Sequence, residues 1–337
     1  EGICEDKNIH AIIDVPSNRI RIEAKDVVKS ACPQLPHTIK VHTPEMINLN
    51  MGLHHGDIHI KGTKIEGDVE LETNNGDIHI SKLRGEEISI AAPNGQISIS
   101  KSVEASNILI VAPVVVVKKA SSSEKLHIKS GAEHCAEKRS SVSIGALYSP
   151  NALVQSFGKK ECNIDLDAIH GAIQVEAERG NVSLKRITGN TKVNLRSGGS
   201  VHAEFDMPHG VSELTNGGGD VSLLVNHQAL AKVELRASDD GGVTVVPGGS
   251  FDGEITPTSA VGYLTPDESR ATVAGRGAAM GKVNLEGAER SSYTTSFFGD
   301  GAEESEAVPA IVALGSTEVR LESLSWMDSI KRKFDVA

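Results

Sequence analysis

Between residues 56 and 99 one short phrase is written five times. It reads Gly56-Asp57-Ile58-His59-Ile60, Gly67-Asp68-Val69-Glu70-Leu71, Gly76-Asp77-Ile78-His79-Ile80, Gly85-Glu86-Glu87-Ile88-Ser89-Ile90 and Gly95-Gln96-Ile97-Ser98-Ile99. Each phrase is a Gly, then polar residues, then an apolar-polar-apolar alternation. The glycine positions step by 11, 9, 9 and 10. A short unit recurring at near-constant spacing is the mark of a stacked repeat architecture. Period-two alternation is that of a half-buried strand, so Ile58 and Ile60 face one side and His59 the other. The glycine allows the backbone a positive φ at the turn, where a Cβ would clash. Asn75-Gly76 and Asn94-Gly95 are strong turn dipeptides, and their glycines differ by 19 in position (95 minus 76), which makes one full coil two units. An antiparallel meander is the competing arrangement. Uniform spacing over many units favours a coil whose equivalent strands stack in parallel about 4.8 Å apart.

The phrase returns downstream. Gly171-Ala172-Ile173-Gln174-Val175, Gly180-Asn181-Val182-Ser183-Leu184 and Gly189 with Val193-Asn194-Leu195 repeat it. Gly67, Gly76 and Gly85 map onto Gly171, Gly180 and Gly189 at a single offset of 104. It continues at Gly219-Asp220-Val221-Ser222-Leu223, Val233-Glu234-Leu235 and Gly242-Val243-Thr244-Val245. The expected organisation is N-terminal strands acting as a cap over 1–50 and β-solenoid repeats over 51–250, in blocks at about 56–117 and 160–246. An irregular β extension follows over 251–322, in which the acidic stretch Tyr293 to Glu306 is expected as a mobile loop, and a helix over 323–337. Within these, Ile12 to Val15, Arg19 to Ile22 and Ile39 to Val41 are irregular strands. Ser121 to Lys125 is a polar turn. The longest apolar run, Val111 to Val117, is broken by Pro113 and suits a buried strand. Ile311 to Leu314 and Thr317 to Leu321 are late strands. The tail from Ser323 to Phe334 is amphipathic, with Trp326, Ile330 and Phe334 at i, i+4 and i+8 and Met327 beside them.

Composition fits that reading. The 337 residues are 39% hydrophobic but only 3% aromatic, so the core must be built from aliphatic ladders rather than ring clusters. No run of about 18 apolar residues exists to form a membrane-spanning helix. The net charge of −11, with no basic patch before the tail, argues against nucleic-acid binding. Cys4, Cys32, Cys135 and Cys162 include no C-x-x-C pair. They are expected as idle thiols, or as two bridges of undetermined connectivity if the protein is secreted. The chain begins at Glu1, as expected where a targeting peptide is removed or the sequence is a trimmed piece.

The G-[DN]-[IV]-x-[IL] phrase, with its Asn-Gly turns and connectors such as Lys82-Leu83-Arg84-Gly85, resembles the adhesin family of bacterial and animal proteins with a single-stranded β-helix domain. The resemblance covers about residues 10 to 325. The ending Leu324-Ser325-Trp326-Met327-Asp328-Ser329 is most similar to the animal members. It implies an all-β, single-stranded β-solenoid (β-helix) fold. It also implies, for animal members, an intracellular location, either mitochondrial or in another compartment reached after removal of a targeting peptide, with an extracellular location as the alternative. It supplies no catalytic residues to carry over.

Candidate chemistry is sparse. His59 and His79 occupy equivalent outward positions about one coil apart and are expected to stack, with Ser98 next. Two imidazoles lack a third and fourth converging ligand, so the expectation is a solvated ladder and no metal site. The Gly-Asp repeats lack the G-G-x-G-x-D spacing of calcium-binding coils, so Asp57, Asp68 and Asp77 are expected to accept turn amides. Gly217-Gly218-Gly219 lacks the following Gly-Lys of a phosphate loop. Asp239-Asp240 reads as a turn. Asp165 and Asp167 share one side of a strand, where a solvated face is favoured over acid/base chemistry. No catalytic residue and no cofactor is assigned.

The expected function is therefore a non-enzymatic binding or assembly scaffold that presents an extended surface to protein partners. Phe297, Phe298, Trp326, Met327, Ile330 and Phe334 are the candidate anchors. A carbohydrate-active β-helix enzyme and an extracellular adhesin are the alternatives. Self-association is open to the chain where strand edges are exposed, although an acidic surface opposes it. Lys331-Arg332-Lys333 beside the tail aromatics fits capping of the last coil better than contact with an anionic membrane.

Overall fold

The computed structural model describes residues 9–14, 19–24, 48–131, 140–157, 161–226, 228–246, 250–265 and 308–324. Among them, 24 strands join in one hydrogen-bonded system that winds as a β-solenoid. Strands of successive coils pair in parallel. Leu49 lies beside Val69, Val69 beside Ile88 and Ile88 beside Ile108, so successive coils advance the numbering by 20, 19 and 20, as the Asn-Gly spacing predicts.

The coils from Val69 to Pro208 run over three faces, taken in chain order, and the later coils are described over the first two. The first carries the inward ladder Leu71, Ile90, Ile110, Ile128, Val154, Val175, Val193 and Leu214. The second carries Ile78, Ile97, Val115, Val142, Ile164, Val182, Val201 and Val221. The third is short, with Leu83, Val103, Ala120, Leu147, Ile169, Ile187 and Phe205. All these side chains are buried, and Phe205 is the one aromatic among the fully buried core residues described. The aliphatic composition is thus spent on ladders. Like residues repeat at one rung spacing and pack on each other across parallel strands.

The glycines that mark the repeat stack as columns at the corner entering the second face. A Cβ on Gly76 would lie 2.0 Å from the carbonyl oxygen of Gly56, and one on Gly95 would lie 1.8 Å from that of Gly76. Gly199 over Gly180 and Gly219 over Gly199 repeat this at 1.8 and 1.9 Å. Positive φ applies at Gly56, Gly180 and Gly199 but not at Gly76, Gly95 or Gly219. At these last three, glycine is required because one corner backbone sits directly on the next, not because of the φ argued from sequence. Interior hydrogen bonds hold the corners: Thr73 Oγ1 donates to the Gly56 carbonyl and Asn216 Nδ2 to that of Gly199. The offset of 104 is structural too. Gly76 and Gly180 both lead into the second face, and Gly85 and Gly189 both lead into the first.

Two local expectations change. Residues 121–125 are not a turn; they belong to the strand Val114–Ser130, which bends over a corner by a register shift between Ser121 and Leu126. Ser122 is buried there and donates to Ser149 Oγ at 2.7 Å. The run from Val111 to Val117 is not one buried strand. It divides at Pro113 between the strands Gln96–Val111 and Val114–Ser130, because proline cannot donate to the ladder, and Val116 faces outward by alternation between buried Val115 and Val117.

Both ends are antiparallel. Ile9–Asp14 pairs with Arg19–Ala24, which in turn lies parallel to the first coil strand, Asn48–His55. At the other end Ser250–Ile255 pairs with Ser259–Thr265, which lies antiparallel to Ala231–Ala237. The late strands Ala310–Gly315 and Glu318–Leu324 are present, but they are not appended after this hairpin. Ala310–Gly315 lies between Val211–Asn216 and Ala231–Ala237, parallel to both. Glu318–Leu324 lies between Gly219–Asn226 and Gly242–Val246, again parallel to both. The last coil in sequence is therefore an interior coil in space. Its second strand runs to Leu324, through the first two residues of the predicted tail helix. The rest of that helix, residues 39–41 and the acidic stretch Tyr293 to Glu306 lie outside the described residues.

Candidate functional site

Outward positions of the first face form two rows across the first five coils. One row is Asn48, Asp68, Glu87, Asn107 and Lys125; the next is Asn50, Glu70, Ser89, Leu109 and His127. Together they line a groove of about 470 Å³. The alternation fixes its chemistry, since each inward Ile or Leu forces its neighbours outward. Three exposed carboxylates, Asp68, Glu70 and Glu87, outnumber the cation Lys125, with Leu109 as a half-buried apolar patch between Ser89 and His127.

A hydrogen-bonded chain leaves the groove at His127. Its Nε2 lies 2.9 Å from Gln155 Oε1, Gln155 Nε2 donates to Glu176 Oε2 at 2.9 Å, and Gln174 Nε2 donates to Glu176 Oε1 at 2.6 Å. The direction of this chain is set from its far end. The carboxylate only accepts, so Gln155 turns its NH2 to Glu176 and its oxygen to His127. His127 then donates from Nε2, which leaves Nδ1 as an acceptor in the neutral ring. Burial lowers the His127 pKa below its ordinary 6.5, reinforced by Lys129 and Lys125, while the bond to Gln155 and the nearby Glu176 oppose the shift. The groove thus offers carboxylate acceptors, amide donors and an oriented neutral imidazole beside an apolar patch.

The residues singled out from sequence fall elsewhere. His59 and His79 are register partners on the second face with Ser98 next. Their rings stack at 4.9 Å with 21° between planes. No group of three or more His, Cys, Asp or Glu side chains able to hold a metal occurs among the described residues. Asp57 and Asp77 accept the backbone N–H of the next coil, from Asp77 and Gln96 at 2.8 Å each. Asp68 differs: its own N–H donates to Asn48 Oδ1. Asp167 is held by Arg186 through two bonds of 2.7 and 2.6 Å, and Asp165 pairs with Lys185 at 3.4 Å. Both carboxylates are therefore ion-paired rather than set as an acid/base couple. Arg186 and Ala168 adopt positive φ, so this pairing sits on a strained corner. Asp239-Asp240 is a turn, closed by Gly241 N–H to the Ser238 carbonyl. Gly217-Gly218 is a turn between two strands.

Cys162 is a buried free thiol between Ser140 and Ser156, and burial raises its pKa. Cys4, Cys32 and Cys135 lie outside the described residues, as do Phe297, Phe298, Trp326, Met327, Ile330 and Phe334. Sequence reasoning passed over His127, Gln155 and Glu176. The signal was present as polar residues at strand-outward positions. Their sequence separations, 28 and 21, depart from the coil repeat, and this hid their alignment.

Residues 5–132, well under half of the chain, match the family described as Toastrack DUF4097. The match covers the N-terminal coils and the whole of the groove. It agrees with a β-helix-like fold, which the structure carries on beyond residue 132 with the same corner glycines. No curated protein and no solved structure matches the chain. No described helix is long and apolar enough to cross a membrane.

Proposed function

We propose that this protein is a non-enzymatic binding or assembly scaffold whose first face receives an extended segment of a protein partner. The observation that carries this is the groove across five coils. Five strands at about 4.8 Å spacing span about 19 Å, the length of about six residues of extended chain at about 3.3 Å each. The walls stand on backbone fixed by parallel pairing on both sides, so little ordering is needed on binding. Asp68, Glu70 and Glu87 favour a segment bearing Lys or Arg, and Leu109 supports one apolar side chain.

The test is cross-linking mass spectrometry on the tagged full chain in its native cells, comparing it with the Glu70→Lys/Glu87→Lys variant. Partner cross-links at Asp68 to Lys125 that disappear in the variant are expected. Cross-links confined to the other two faces, or an unaltered set in the variant, would overturn the groove as the binding surface.

A further inference from the structure

The coil formed by residues 308–324 enters a slot between two coils that are consecutive in sequence. Among the described residues, 231–246 have no strand pairing with 211–226. Ala231–Ala237 is paired there only to Ala310–Gly315 and to the terminal hairpin, and Gly242–Val246 only to Glu318–Leu324. The inserted coil supplies Ile311, Ala313, Val319 and Leu321 to the interior ladders, all fully buried. Both its outer edges are satisfied. Its corner is pinned to the preceding coil, where Asp220 Oδ1 accepts from Thr317 Oγ1 and from the Glu318 N–H.

The slot does not heal by simple collapse. In the shared register Glu213 and Glu234 both face Val312. Closing the gap would set the two carboxylates side by side on adjacent strands, which is unfavourable. The inserted valine keeps them two strands apart, and each keeps its own cation, Lys192 for Glu213 and Arg236 for Glu234. The coil 231–246 and its hairpin are therefore built to receive an added strand pair.

Connectivity does not require that strand pair to come from the same chain. Thr265 and Ala310 end on opposite sides of the strand Ala231–Ala237, about 10 Å apart at two strand spacings. Residues 266–307 join them, about 40 residues that could reach about 140 Å if extended. Every contact of the inserted coil is the same whichever copy provides it. We propose that the slot between coils 211–226 and 231–246 is a strand-acceptor site that a second copy of this chain fills with its own residues 308–324, linking two chains by exchange. Own-chain and cross-chain filling then differ only in effective concentration, so exchange grows with protein concentration and on shared refolding.

Glu213 and Val312 are neighbouring outward positions, which gives the test. Full chains carrying Glu213→Cys and Val312→Cys are unfolded and refolded together, then oxidised. A covalent dimer whose disulfide joins residues 213 and 312 is expected from the mixture, rising with concentration and missing from either variant alone. The doubly substituted chain reports the same pairing within one molecule. Where the cysteine variants fold poorly, unsubstituted light and heavy isotope chains are refolded together and weighed as intact assemblies, with mixed-isotope dimers expected. Intrachain pairing with no cross-chain disulfide, or only monomers up to the highest soluble concentration, would overturn the proposal.

Discussion

Replacing Gly95 with alanine isolates the corner stacking that the repeat requires. A Cβ at Gly95 meets the Gly76 carbonyl oxygen at 1.8 Å and Asp77 Oδ1 at 2.8 Å. Contacts of this kind do not fall below 3.0 Å, so the two corners must move apart until the first gap opens at least that far. Three hydrogen bonds cross this corner or brace it. They are Gln96 N–H to Asp77 Oδ1 at 2.8 Å, Gly95 N–H to the Ala92 carbonyl at 3.1 Å, and Asp77 N–H to Asp57 Oδ1 at 2.8 Å. Losing two of them at about 1 to 1.5 kcal/mol each costs about 2 to 3 kcal/mol. Alanine also narrows the unfolded ensemble, which returns about 0.4 to 1 kcal/mol wherever the native geometry accepts it. Gly52 measures that second effect alone, since nothing lies within 4 Å of a Cβ there and its φ is not positive. Gly95→Ala is expected to fall below Gly52→Ala by about 2 to 3 kcal/mol in denaturant unfolding. Amide exchange should quicken at Ile78 and Ile97, because a solenoid opens coil by coil. Equal midpoints for the two variants would refute the argument that glycine is required at Gly95 by stacking.

Two further outcomes follow from single side chains. Thr191 Oγ1 is buried in the first-face ladder with no partner, while its N–H is satisfied by Ser212 Oγ. Thr191→Val keeps the shape and removes the orphan, so the unfolding free energy from denaturant titration should rise by about 1 kcal/mol; a fall would show the hydroxyl to be bonded. His127 has a folded pKa below 6.5 because burial disfavours its charge. As pH falls, the unfolded chain takes the proton first, so the neutral ring's contribution is complete above about 6.5 and is lost through the folded pKa. His127→Gln should flatten the loss of stability between about pH 7 and 5, and an unchanged acid limb would contradict this.

The coil could be read from sequence because its cause is local. Gly76 and Gly95 mark corners, Ile78 and Ile97 mark the inside, and His59 over His79 follows from the repeat alone. The Asp57 and Asp77 turn bonds were legible for the same reason. Legibility fails where geometry depends on distant residues. Alternation at Ile311 to Leu314 and Thr317 to Leu321 declares strands, but not which coils they lie between, since either edge would accept them. The chain His127–Gln155–Glu176 was hidden because the coil after Val114 is longer than its predecessors, with Val114 set beside Ser141. A phase carried forward at 19 or 20 therefore loses its place there. The Arg186–Asp167 pair depends on two non-glycine residues at positive φ, for which the sequence carries no marker.

The order of the chain also sets how the last coil can form. The hairpin Ser250–Ile255/Ser259–Thr265 lies on the outer edge of Ala231–Ala237, so that edge is already occupied when the chain is followed beyond Thr265. Ala310–Gly315 cannot extend the stack there and takes the facing edges of Val211–Asn216 and Ala231–Ala237, and Glu318–Leu324 follows it through the corner into the slot between Gly219–Asn226 and Gly242–Val246. Closing them joins residues 97 and 98 apart at Asp220, the longest-range polar contacts at this corner. Contacts of such separation form late, because loop closure precedes any gain from pairing. Until then the coil 231–246 and its hairpin hang on the short connection after Asn226, with four unpaired strand edges between them and the body. An interior slot of that kind is a larger hazard, and a larger opportunity for a second chain, than a solenoid end protected by its cap.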